Sequence, residues 1–381
     1  MTDLENILPL WHDLESSQSD YVLATIVAVE GPSYRKPGAR MLIASDGRRA
    51  GTVSGGCLEA EVVRLAWWLT EAGPIVERYS TVPDDGEMPY GSGCGGVVYI
   101  LLERRATAGP FLTALESAFQ ARVPLAIAAI IEGSHMGQRA YAGLSEGFAD
   151  SENKHSRIGD RELNDLAQLA YAAKQPMTQS IQIGQTETRA WADYRPARPG
   201  LWIFGAGDDA KPLVHLARSL GWFVAVIDGR SHLATRIRFP EADLVSALDV
   251  ADPSVAKVNF DLRPTDAAVV MTHSFEQDLH ILSSLLGERA ELPLAYLGVL
   301  GPQRRTLDML AEAARLQHLA DPEDRAEQWL TQLHAPTGLD LGAETPATVA
   351  LSILSEIQQT LAAATAQPLK KVRAATPGVT C

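Results

Sequence analysis

From residue 200 onward, short apolar runs alternate with amphipathic stretches at a spacing that constrains the fold more than any other feature of the chain. "LWIF" (201–204) reads as a strand, "GAGDDAKPLVHLARSLG" as a glycine turn and helix, and "WFVAVID" (222–228) as a second strand. "DAAVVMTH" (266–273), a helix across "FEQDLHILSSLL", the strand "LAYLGVL" (294–300) and a helix from "PQRRTLDML" continue the pattern. Such alternation predicts a doubly wound parallel sheet. At its first crossover stands Gly205-Ala206-Gly207, with Ala210 in the third slot of the glycine pattern. A turn of this kind lets backbone approach a pyrophosphate, which then sits at the positive end of the following helix. Asp228, at the end of the second strand, is placed to accept a hydrogen bond from a ribose hydroxyl. Some such sheets keep the turn for helix packing alone, so the fold does not by itself name a ligand.

Ligands of these sheets lie beyond the carboxyl ends of the strands. His273 leaves its strand at that edge and reads either as a ligand-facing acid or base or as a structural residue at a strand end. Arg304 and Arg305, in the loop after the last strand, read either as phosphate partners or as a solvated first helical turn.

The first third of the chain reads differently. Leu4, Ile7, Leu8, Trp11 and Leu14 fall on one helical face, and "YVLATIVAVE" (21–30) is a buried strand by its β-branched content. Asp46-Gly47 between apolar runs signals a hairpin, because its tight turn needs positive φ. Leu58, Val62, Leu65, Ala66 and Leu69 recur at helical spacing until Gly73-Pro74. A strand near 75–80, the strand "VVYILLE" (97–103) and a helix near 109–121 complete an α+β unit. Further on, "PLAIAAIIEGS" resembles a strand, and "TRAWADYRPARPG", with two prolines, reads as a linker.

Two thiols lie in glycine loops of this first unit. "TVSGGCLEAE" places Cys57 after Gly55-Gly56 and before a predicted helix, and "GSGCGG" frames Cys94 with Gly93 and Gly95. Unpaired N–H groups at a helix start favour a thiolate, which is nucleophilic and suits a soft metal. Free cysteine is equally at home as a small buried core residue. Arg35 and Lys36, in the loop before the hairpin, bring anion-binding charge to the same unit. Cys381 is the only other cysteine, so neither a disulfide framework nor a C-x-x-C zinc site is present.

Composition narrows the partners. A length of 381 residues suits about two domains, and 46% hydrophobic residues supply a large core. The net charge of −14 repels phosphate backbones and anionic membranes, which argues against nucleic-acid and membrane roles. "VPLAIAAII" (123–131), the longest apolar run, falls short of the roughly 20 residues that span a bilayer. The acidic start lacks the features of a signal peptide, which predicts a cytoplasmic protein.

Taken in order, "GPSYRKPGARMLIASDGRRAGTVSGGCLEAEV", "GSGCGGVVYILLE", "IFGAGDDAKPL", "VVMTHSFEQD", "YLGVLGPQRR" and "GLDLGAETPATVALSILSEI" resemble the successive motifs of the XdhC/CoxI family. The resemblance covers roughly 1–105 and 198–365. It implies an N-terminal family-specific α+β domain (1–105), a connecting region (106–196) with no matched motif, a Rossmann-like domain (197–365) and a C-terminal tail (366–381). Members are accessory factors for molybdenum hydroxylases such as xanthine dehydrogenase. The resemblance therefore implies a chaperone that binds the molybdenum cofactor (molybdopterin), holds it while a cysteine desulfurase helps install the sulfido ligand, and delivers it to the apoenzyme. Such a protein is an accessory factor rather than a turnover enzyme, and a homodimer is expected.

By this resemblance Cys57 and Cys94 become candidate molybdenum ligands or sulfur carriers. Arg35, Lys36, Gly55, Gly56, Gly93 and Gly95 would surround them, and Gly205, Gly207, Ala210, Asp228, His273 and Arg305 would bind the cofactor from the second domain. One departure is visible: Asp208-Asp209 follows the second glycine, where many members carry histidine. Two other readings stand beside the first, an NAD(P)-dependent oxidoreductase using the Gly205 turn with His273 as acid or base, and a scaffold without bound cofactor. In "GAETPATVALSIL", Thr345 is expected as N-cap and Pro346 as the first helical residue.

Overall fold

A computed structural model describes residues 2–56, 58–80, 82, 96–144, 159–248, 261–286 and 294–374. The chain divides into two compact units, with the division between Arg198 and Pro199.

The first unit is built on two antiparallel sheets. Strands β1 (Tyr21–Glu30), β2 (Arg40–Ala44), β3 (Arg49–Gly51), β4 (Ile75–Ser80) and β5 (Val97–Arg104) form one sheet in the order β3-β2-β1-β5-β4. From Tyr21 to Val29, β1 is apolar but for the buried Thr25, because both of its faces are covered. Tyr21 and Leu23 pack with helices α1 (Thr2–Ser16) and α3 (Arg105–Ala121), whereas Val22, Ala24 and Ile26 pack with α2 (Glu59–Leu69). The predicted face of α1 is the buried one: Ile7, Leu8, Trp11 and Leu14 all belong to the core.

Residues 106–196, where no motif is matched, hold all four strands of the second sheet. It comprises β6 (Leu125–Ile130), β7 (Arg139–Ala142), β8 (Met177–Ile183) and β9 (Thr186–Arg195) in the order β7-β6-β9-β8, covered by α4 (Asp160–Ala173). "TRAWADYRPARPG" is thus not a linker for most of its length. Its first eight residues are strand, and its prolines, Pro196 and Pro199, lie just beyond. The buried polar residues Thr188 and Asp193 hide the strand's alternation. Asp193 is buried because Arg40, on β2, donates to it at 2.9 Å and Arg195 at 2.6 Å.

The second unit is the expected doubly wound parallel sheet. Its strands β10 (Gly200–Phe204), β11 (Phe223–Asp228), β12 (Leu244–Ala247), β13 (Ala267–Val270) and β14 (Tyr296–Val299) lie in the order β12-β11-β10-β13-β14, every pair parallel. Helices α5 (Ala210–Ser219) and α9 (Pro346–Leu361) cover one face, and α6 (Phe275–Leu285), α7 (Gln303–Leu316) and α8 (Pro322–Leu330) cover the other. β12 has only four residues, mostly exposed, and offers little periodicity to the eye.

Helix α9 begins as its sequence predicts. The Thr345 hydroxyl accepts from the Thr348 N–H, the Thr348 hydroxyl accepts from the Thr345 N–H, and Pro346 opens the helix. Thr345→Ala removes half of this box and is expected to cost about 1 kcal/mol, read as a lowered midpoint in urea unfolding.

Candidate cofactor-binding site

In the second unit the strand order reverses between β10 and β13, and the crevice beyond their carboxyl ends is where such sheets bind ligands. Two turns meet there. Gly205 leaves β10 with φ +137°, and a Cβ on it would lie 2.5 Å from the Met271 carbonyl oxygen. Only glycine lets the two strands close at this point. The turn then runs through Ala206 and Gly207 into α5, whose first residue is the buried Ala210.

Asp228 fastens the turn from beneath. One carboxylate oxygen accepts from the Ala206 N–H (2.7 Å) and Arg230 Nη2 (2.7 Å), the other from the Arg230 N–H (2.8 Å) and Nε (2.9 Å). A carboxylate has about four acceptor positions, and all are filled. Asp228, expected as a ribose acceptor, is buried within the turn, with these positions taken by Ala206 and Arg230. Burial raises its pKa, but the hydrogen bonds from Arg230 and Ala206 outweigh that and hold it below the ordinary aspartate value.

His273 stands across the crevice. Its φ is +63°, a left-handed conformation that costs a non-glycine residue about 1–3 kcal/mol unless neighbours impose it. The neighbours are visible. Arg230 Nη2 donates to the Thr272 carbonyl (3.1 Å), the Thr272 N–H and hydroxyl donate to Asp278 (3.2 and 2.6 Å), and Arg305 Nη2 donates to the same carboxylate (2.7 Å). Ser274 then caps α6. So held, the half-exposed His273 ring meets Asp209 through Nε2 at 2.8 Å, spanning the strand-order reversal. Asp208 turns away and pairs with Lys211 (2.8 Å) and Arg238 (3.0 Å), so the two acids after Gly207 are both matched by basic partners. Arg305 supports Asp278 rather than standing as an uncommitted phosphate partner. Arg230, Thr272 and Asp278 are members of the candidate site that the motif pattern does not single out, whereas Asp209 stands out only as a departure from it. The signal available for Arg230 is its place two residues after the strand-end acid.

In the first unit, Cys57, Gly93, Cys94 and Gly95 lie outside the described residues, but the groups flanking them are informative. The Ser54 hydroxyl accepts from the N–H groups of Gly56 and Leu58, each at 3.1 Å. It donates in turn to Glu59, which also accepts from the Thr52 hydroxyl and from the Ser54 N–H (2.8 Å). Of the N–H groups expected to face a thiolate or an anion, those of Gly56 and Leu58 are taken by Ser54, and that of Cys57 lies outside the described residues. Burial raises the pKa of Glu59, but hydrogen bonds from Ser54 and Thr52 outweigh it and keep the acid ionised.

This depression fixes the pH behaviour of the loop. The stability Glu59 contributes is complete above its ordinary value of 4.5 and is lost as the pH falls through the lower folded value. Melting curves of the protein and of Glu59→Gln should differ most at pH 7 and converge in acid.

Gly55 and Gly96 adjoin one segment. A Cβ on Gly96, two residues after Cys94, would lie 2.0 Å from the Pro32 carbonyl oxygen, and one on Gly55 would lie 3.6 Å from the Tyr34 ring. The loop that carries Arg35, half-buried, and Lys36, exposed, is thus the common neighbour of both. Among the described residues, no group of three or more His, Cys, Asp or Glu side chains could hold a metal ion. No helix there is long and apolar enough to cross a membrane.

Fold and crevice define a two-unit α/β protein whose second unit is a nucleotide-type doubly wound sheet. The comparisons narrow this further: the XdhC Rossmann domain matches residues 201–357 and the XdhC and CoxI family matches residues 14–80. The chain belongs to the XdhC and CoxI family. It is 32% identical over 351 residues to a probable xanthine dehydrogenase subunit of Bacillus subtilis (strain 168), covering 91% of this chain and 95% of that protein. It is 26% identical over 353 residues to the molybdenum cofactor insertion chaperone PaoD of Escherichia coli (strain K12), covering 88% and 82%. A crystal structure of a xanthine dehydrogenase from Bacillus halodurans is similar throughout, with TM-score 0.68, 28% identity, and coverage of 98% of this chain and 100% of that one.

Proposed function

We propose that this chain carries the molybdenum cofactor and inserts it into a molybdenum hydroxylase of the xanthine dehydrogenase type. The observation that carries this reading is the similarity to PaoD, an insertion chaperone, across both units of the chain. The pterin's phosphate is cargo for the crevice at Gly205 and Gly207. Cys57 and Cys94 are the candidate thiolates of the first unit, a ligand type that would suit molybdenum. A cysteine desulfurase would supply sulfur to the held cofactor before delivery, and the carrier would act as a homodimer in the cytoplasm.

The crevice geometry favours a carrier over a nicotinamide oxidoreductase. Asp228 offers no position to a ribose hydroxyl, and His273 is already engaged with Asp209. Protein purified without air should release a fluorescent pterin on oxidation, and adding it to an apo-hydroxylase should raise that enzyme's activity. Tight NAD(P)H binding with turnover would overturn the proposal in favour of an oxidoreductase. Absence of any small molecule from protein made in a cofactor-replete host would favour a scaffold.

A further inference from the structure

The first unit holds a second feature that cofactor carriage does not use. Between α1, α3 and the ends of β2, β6 and β9 lies a cavity of about 60 Å³. Ile7, Leu115, Phe119 and Leu125 contribute apolar walls, whereas Arg40, Arg195 and Arg198 bring charge. This combination is unusual, because buried cations are ordinarily matched one for one.

Here the match falls short. Asp193 is the single carboxylate shared by Arg40 Nη2 (2.9 Å) and Arg195 Nε (2.6 Å), through the same oxygen. The Gly38 carbonyl accepts from both guanidinium groups, which supplies hydrogen bonds but no negative charge. Arg198 has its own partner in Glu5 at 3.4 Å. Among the described residues, one positive charge in excess therefore remains on the Arg40–Asp193–Arg195 cluster, of which Arg195 is 28% exposed. The Arg40 side chain is only 6% exposed, and its buried Nε–H finds no acceptor among the described residues. Burial first, and the neighbouring Arg195 second, push Arg40 down to about 10. Asp193 opposes this shift by its charge and its hydrogen bond but does not cancel it.

We infer that the cavity binds a short-chain monocarboxylate, its carboxylate supplying the missing charge beside Arg40 and its apolar body lying against Ile7, Leu115 and Phe119. The volume sets the size. A single water needs about 10–15 Å³ by this measure, so the cavity takes a body of only a few heavy atoms, such as propionate or butyrate. The charge sets the class, because a neutral amide of the same shape leaves the excess uncompensated. A ligand this small binds with a Kd on the order of millimolar.

The test is calorimetry and thermal melting of the full chain with propionate and butyrate, against propionamide and butyramide, at matched ionic strength in chloride. Saturable binding and a raised Tm are expected with the carboxylates, and at least tenfold weaker binding with the amides. Ala118→Leu and Leu115→Phe fill the cavity from α3, and each should abolish carboxylate binding in protein that circular dichroism shows to be folded. Equal responses to acid and amide, no response to either, or carboxylate binding that survives in a folded filled variant would each overturn the proposal.

Discussion

Replacing Glu103 by glutamine is expected to destabilise the first unit by about 3–5 kcal/mol, the cost of leaving a buried cation without its counter-charge. Glu103 on β5 is completely buried and holds Arg139 on β7, itself only 6% exposed, through both carboxylate oxygens. The guanidinium of Arg139 also lies 4.3 Å from the centre of the Phe111 ring on α3, and that of Arg40 lies 4.9 Å from the same centre. This ion pair and the Phe111 ring thus join the two sheets of the unit, as the Arg40–Asp193 pair does. Glutamine keeps the shape and removes the charge, so loss of stability on this substitution reports electrostatics rather than a void. The companion measurement separates the two. In urea unfolding, the double variant Glu103→Leu with Arg139→Met should recover much of the loss, because burying no charge is far less costly than burying one alone.

A second large effect is expected at Asp228→Asn. An amide in place of the carboxylate turns an NH2 group toward donors, either the Ala206 N–H and Arg230 Nη2 or the Arg230 N–H and Nε. Arg230 is about one-third exposed, so solvent screens the released charge and the expected loss is about 2–3 kcal/mol, less than at Glu103. Its stabilisation is present above the ordinary aspartate value of 3.8 and is lost as the pH falls through the depressed folded value. Arg230 also holds the Thr272 carbonyl, so the constraint on His273 should loosen with it. Under the carrier reading, the variant should retain less pterin at pH 7 while remaining folded. If Asp228 instead served a ribose, the substitution would abolish nicotinamide nucleotide binding with little change in urea unfolding.

The parts legible from sequence are those whose cause is local. The Gly205 turn, the Asp46-Gly47 hairpin and the Thr345-Pro346 helix start each follow from a few adjacent residues and their φ or capping requirements. The parts that are not legible depend on partners far along the chain. β9 resembles a linker because Asp193 breaks its pattern, and nothing near Asp193 shows that Arg40, 153 residues earlier, neutralises it. Asp228 illustrates the same limit at the site. Its position at a strand end announces an acid facing a ligand, whereas Arg230, two residues on, turns it inward. Nothing in the sequence singles out Glu59, and its cage with Thr52 and Ser54 emerges only once the loop has a shape.

That cage makes the thiol-bearing loop a gated element as well as a charged one. The amide protons of Gly56 and Leu58 are both held on one hydroxyl, which Glu59 holds in turn. They can exchange with solvent only when the loop opens. Their protection therefore measures the free energy of that opening, and any chemistry beside Cys57 that needs those two amides must first meet that cost.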